Sequence, residues 1–138
     1  MKPHTNEWQK ADRDAEVAAV YRRLNATMDY LPGETGREHY QRVIEAVSRS
    51  RASAYYLTYE YALRRLSEIR RRKRACTSRR RGLWAELEQR VCFEIKRNGV
   101  NAGDALAAVL AQGDASSFFL SPSGIRKAIS CHYRRKRG

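Results

Sequence analysis

The sequence predicts an all-α protein of about six helices, arranged as two pseudo-repeated three-helix units of helix-turn-helix-like character. Three observations predict it. Apolar residues recur at helical spacing through six segments, breaks rich in Pro and Gly separate several of them, and a seven-residue pattern occurs twice. That pattern is ASAYYLT at residues 52–58 and ASSFFLS at residues 115–121, a constant offset of 63.

The first helix is expected over residues 7–28, with Trp8, Ala11, Ala15, Ala18, Tyr21 and Met28 inward and Val17, Val20 and Leu24 widening the face. LPGETG at residues 31–36 stops it, because Pro and two Gly favour a turn. A second helix follows over 37–49, burying Tyr40, Val43, Ile44 and Val47, and a third over 59–74, burying Ala62, Leu63, Leu66 and Ile69. The second half repeats this order. Residues 83–97 form a helix with Leu83, Trp84, Leu87, Val91 and Ile95 inward, and NGVNAG at 98–103 breaks it. Residues 104–111 are apolar along Leu106, Ala107, Val109 and Leu110; a last helix over 122–136 turns Ile125, Ala128, Ile129 and either His132 or Tyr133 to the core. The organisation predicted is a single domain, 1–138, with pseudo-repeats over 7–74 and 83–136 and an Arg-rich connector over 70–81.

The duplicated pattern reads as a device for starting a helix. Thr58 and Ser121 are good N-cap residues, since a hydroxyl there accepts from a free N–H of the first turn. Pro122 is favoured at the first helical position, where its missing N–H costs nothing. Leu57 with Ala62, and Leu120 with Ile125, occupy the two positions of a hydrophobic staple. The preceding pair is Tyr55-Tyr56 in one copy and Phe118-Phe119 in the other, so its shared role cannot need a phenol; core anchoring fits.

A helix, an extended [AS]-[FY]-[FY]-L-[ST] and a basic helix, in tandem over residues 52–69 and 115–132, resembles small basic helical proteins of bacterial genomes and mobile elements, Bacteroidetes-like ones above all. The resemblance implies a bacterial cytoplasm and no particular activity.

Charge carries the functional reading. Lys and Arg number 28 against 15 Asp and Glu in 138 residues, a net charge of +13. Residues 1–40 hold six basic and seven acidic side chains, so the remaining 98 carry a net +14. Two runs stand out, RRRKRACTSRRR at 70–81 and YRRKRG at 133–138. Unneutralised runs of this kind repel themselves until a polyanion lies beside them, and Arg suits bidentate contact with phosphate. The candidate nucleic-acid-binding residues are Arg64 and Arg65 of the third helix, Arg70, Arg71, Arg72, Lys73, Arg74, Arg79, Arg80 and Arg81 of the connector, which overlaps the end of that helix, and Arg126, Lys127, Arg134, Arg135, Lys136 and Arg137 of the last helix. The expected partner is nucleic acid, DNA ahead of RNA, held mainly through phosphates, because Asn and Gln, the usual adenine readers, fall outside the two candidate helices. The loop before each of those helices is too long for a standard helix-turn-helix.

Other classes are less well supported. The length leaves no room for separate substrate and cofactor domains. No apolar run approaches the ~20 residues of a membrane span, and the N-terminal stretch lacks the apolar core of a signal peptide, so a cytoplasmic location and no membrane partner are expected. Cys76, Cys92 and Cys131 have no close pairing and His4, His39 and His132 are dispersed, so neither a metal site nor a cofactor is expected. Cys92 reads as a small core residue. Phosphate-loop and nucleophile-elbow motifs are lacking, and Glu86 and Glu88 point to different sides of one helix, so no catalytic residues and no enzyme activity are expected. Glu45, Glu60, Glu68 and Glu94 read as partners for nearby Arg. The rival reading is an assembly factor docking onto an acidic protein, or forming a homodimer, through the N-terminal helix.

Overall fold

The computed structural model describes residues 7–72 and 81–137, the side chain of Arg72 excepted. Six helices account for most of them: α1 (Glu7–Thr27), α2 (Gly36–Ser48), α3 (Tyr59–Arg72), α4 (Arg81–Asn98), α5 (Ala102–Gln112) and α6 (Pro122–Arg137). Among the described residues the only extended pairing is an isolated antiparallel bridge, Ala52 to Ala115, in which the Ala52 N–H donates to the Ala115 carbonyl at 3.0 Å. Those are the first residues of the two copies of the duplicated pattern.

The helices gather into two compact units. One is Ser53–Asp114, holding α3, α4 and α5; the other joins Glu7–Ala52 to Ala115–Gly138, holding α1, α2 and α6. Each unit therefore takes two helices from one half of the sequence and its third helix from the other half. Within the first unit α5 packs against both α4 and α3, around Leu57, Leu66, Leu83, Leu87, Val91, Leu106 and Val109. In the second, α6 packs against α1 and α2 around Val17, Val43, Ile44, Val47, Ile125 and Ala128.

Local chemistry sets the helix ends. Thr35 caps α2 in a capping box: its hydroxyl accepts from the Glu38 N–H at 3.1 Å, and the Glu38 carboxylate accepts from the Thr35 N–H at 2.9 Å. Asn101 caps α5, accepting from the Asp104 N–H at 2.8 Å. Thr58 and Ser121 cap α3 and α6, accepting from Tyr61 N–H at 3.3 Å and Gly124 N–H at 3.1 Å. Gly113 ends α5 at φ 66°, and a Cβ there would run into the Ser53 carbonyl, so this turn requires glycine.

The two copies of the pattern share more than their caps. Tyr55 and Phe118 are each 4% exposed, which makes the first ring of each pair a core anchor. Tyr56 and Phe119, only half-buried, adopt φ 56° and 55°, a left-handed conformation uncommon for aromatic residues.

In α1 the inward face differs from the sequence expectation. Trp8 is 67% exposed, because the buried stripe runs through Asp14, Val17, Ala18 and Val20, about half a turn of the helix away. Rotating α1 this way buries the Asp14 carboxylate fully, and two arginines meet it.

Candidate nucleic-acid interface

The sixteen cations singled out by sequence fall into three groups. Lys73, Arg74, Arg79 and Arg80 lie outside the described residues, as does Cys76, and Arg81 opens α4 in an exposed position. The other groups sit on α3 and α6.

On α3 two of the five arginines are answered by carboxylates within its own unit. Arg65 pairs with Glu68 at 3.2 Å and lies 5.9 Å from the Trp84 ring centroid. Arg70 donates from Nε to both oxygens of Glu88, at 2.9 and 3.1 Å. Arg64 is exposed, its guanidinium 5.4 Å from the Tyr61 ring centroid, and Arg71 is exposed beyond it. Glu60 and Glu68 interrupt the helix, so its outer face carries both signs.

By contrast α6 contains no carboxylate. Its sequence, PSGIRKAISCHYRRKR, has six basic residues. Ile125, Ala128 and Ile129 are buried, and the opposite face carries Arg126, Lys127, Arg134 and Arg137, all exposed. At 3.6 residues per turn Arg137 returns to within about 20° of Arg126, and Lys127 and Arg134 lie within about 100° of it, so these groups form one stripe about 16 Å long. Four cations in the last turn, Lys136 among them, also suit the negative end of the helix dipole.

Arg135 points the other way. Its Nη1 donates to Asp14 Oδ2 at 2.7 Å, while Arg13 Nη2 lies 3.1 Å from Oδ1, so a fully buried carboxylate is held from both sides. The hydrogen bond to Asp14 raises the pKa of Arg135 above its ordinary value. Arg22 donates to the Tyr133 hydroxyl at 3.3 Å, a second tie between α1 and α6. The charge stripe thus stands on a helix tied to α1 through a buried carboxylate, Asp14, by an arginine that itself reaches the surface. Sequence reasoning missed Asp14, which stands among other acids in α1 and carries no local mark of its burial.

A second polar cluster was also missed. Arg90 Nη1 donates to the Tyr55 hydroxyl at 2.6 Å and the Gly113 carbonyl at 2.7 Å, and its Nη2 donates to Gln112 Oε1 at 3.1 Å. The Tyr55 hydroxyl donates to Glu86 at 2.7 Å. Burial and this carboxylate push the Tyr55 phenol up to about 12. Glu86 and Glu88 serve different partners, Tyr55 and Arg70. Glu94, mostly buried, is held by amides, Asn98 at 2.6 Å and Gln112 at 3.2 Å, instead of the expected arginine. Cys92 is half-buried, and burial and Glu88 raise its thiol pKa.

Among the described residues no group of three or more His, Cys, Asp or Glu is placed to hold a metal ion, and no helix is long and apolar enough to cross a membrane. Comparison with family models, curated proteins and solved structures finds no match to this chain.

Proposed function

We propose that this is a non-enzymatic DNA-binding protein of a bacterial cytoplasm, an accessory or regulatory factor that grips duplex phosphates chiefly with α6. One observation carries the reading: an acid-free helix whose exposed face aligns Arg126, Lys127, Arg134 and Arg137, while its other face is anchored by Asp14. A helix about 10–12 Å across fits a major groove about 12 Å wide, and each cation set against a phosphate releases counterions. The connector adds charge to the same task. With Arg predominating and no Asn or Gln on α6, affinity exceeds sequence preference.

The chain is further read as a duplicated three-helix unit, as in the small basic proteins it resembles. The offset of 63, the matched caps and the matched left-handed aromatics support this, and the mixed origin of each compact unit then represents an exchange of third helices between the halves.

Anisotropy of a labelled duplex, titrated at two salt concentrations, tests the function. Affinity should fall steeply with salt, following the number of phosphates neutralised. Salt-insensitive binding, or none at low salt, defeats the reading, and tighter binding to structured RNA reassigns the nucleic acid.

A further inference from the structure

We infer that the cleft between α4 and α5 seats one unpaired nucleobase together with its phosphate, Phe93 stacking on the base and Arg97 meeting the phosphate. The inference rests on the nucleic-acid reading above and adds a second, single-strand site in the other compact unit.

The cleft is an open groove of about 570 Å³ lined by Gln89, Arg90, Phe93, Glu94 and Arg97 from α4, with Val109 and Gln112 from α5. That volume lies within the range of small-molecule sites, roughly 300–1,000 Å³. Phe93 is 59% exposed, so its ring face is open at the cleft. Gln89, Phe93 and Arg97 follow one another at four-residue spacing and so share one strip of α4. The Arg97 guanidinium lies 5.9 Å from the Phe93 centroid.

The remaining polar groups of the cleft are already engaged. Arg90 serves Tyr55, Gly113 and Gln112, and the Glu94 carboxylate accepts from Asn98 and Gln112. What faces a ligand is a ring, a cation beside it and the exposed amide of Gln89. A purely apolar ligand leaves Arg97 idle, and a cationic one is repelled by it. A planar aromatic anion matches all three groups, and a base with its phosphate is that anion. Bases in an intact duplex hide their ring faces, so the seat selects unpaired ones.

Phe93→Trp supplies a reporter at the seat, with the wild-type signal of Trp8 and Trp84 as background. A single-stranded oligonucleotide should quench the new indole, and a blunt duplex of the same sequence should leave it unchanged. AMP, which offers one base and one phosphate without the rest of a strand, should quench only at far higher concentration. Phe93→Ala should weaken single-strand binding about tenfold and duplex binding less than twofold; circular dichroism checks that this exposed substitution leaves the helices intact. Absent quenching by the strand, or unchanged single-strand affinity in Phe93→Ala, overturns the seat while duplex binding in the same samples leaves the α6 reading standing. Quenching by AMP as strong as by the strand overturns a strand as the source of the base. Failure of the wild type to bind either nucleic acid at low salt overturns both.

Discussion

Helices α3 and α6 begin alike and end differently. Both follow the same seven-residue lead-in, with a buried first ring, a left-handed second one and a hydroxyl cap. Yet α3 sets Arg65 and Arg70 against Glu68 and Glu88, whereas α6 has no acid and gives up only Arg135, to Asp14. The difference teaches that formal charge is not available charge. Two helices with similar counts of arginine present different surfaces once their neighbours are in place.

The comparison is broken most forcefully at the ion pairs. Arg135→Ala leaves the buried Asp14 carboxylate with Arg13 alone and should cost about 1–2 kcal/mol of unfolding free energy, less than a fully buried pair because the Arg135 side chain is itself 36% exposed and screened by solvent. Arg70→Ala removes a pair partly exposed on both sides and should cost less than about 1 kcal/mol. Urea denaturation of the two variants measures the gap, and equal losses would erase the distinction drawn between the helices.

The buried first rings of the two lead-ins, Tyr55 and Phe118, differ by one hydroxyl, which sharpens the comparison further. Tyr55→Phe should cost about 1–2 kcal/mol, because Glu86 and Arg90 lose a shared partner in a half-buried setting. Phe118→Tyr makes the reciprocal change and should destabilise too, by placing a phenol at a buried site. The caps come next: Thr58→Ala and Ser121→Ala should each cost about 1 kcal/mol in the same assay.

The smallest effect is one of pH. Hydrogen bonds from Arg42, then from the Leu31 N–H, hold Glu34 well below the usual carboxylate range, at about 2. A depressed pKa means that this stabilisation is complete above about 4.5 and is lost as the pH falls toward about 2. Glu34→Gln should therefore flatten the acid limb of the stability curve slightly and leave neutral pH nearly unchanged in shape.

Much of this was legible in the sequence because helices are local. The bounds of all six described helices fall within two residues or so of the periodic segments, and Thr58 and Ser121 cap as their residue types suggest. What was not legible depends on distant partners. Periodicity cannot say that α6 packs on α1 and α2 while α3 packs on α5, nor that α1 turns Asp14 inward and Trp8 outward. For the candidate site, the basic character of α6 was readable in the sequence, but spacing sets Arg135 on the outward face with Arg126, Lys127 and Arg134, and the structure ties it to Asp14. Which arginines remain open to a ligand was not readable, since Glu88 and Asp14 lie 18 and 121 residues from the arginines they hold.

The salt dependence of duplex binding by three proteins tests the central claim most directly: wild type, Arg126→Ala/Lys127→Ala/Arg134→Ala, and Arg64→Ala/Arg71→Ala. If α6 is the gripping surface, the triple variant loses about 2.7 from the slope of log affinity against log salt, roughly 0.9 for each phosphate contact, while the α3 variant loses less than about 1. A triple variant with the slope of the wild type would contradict the account.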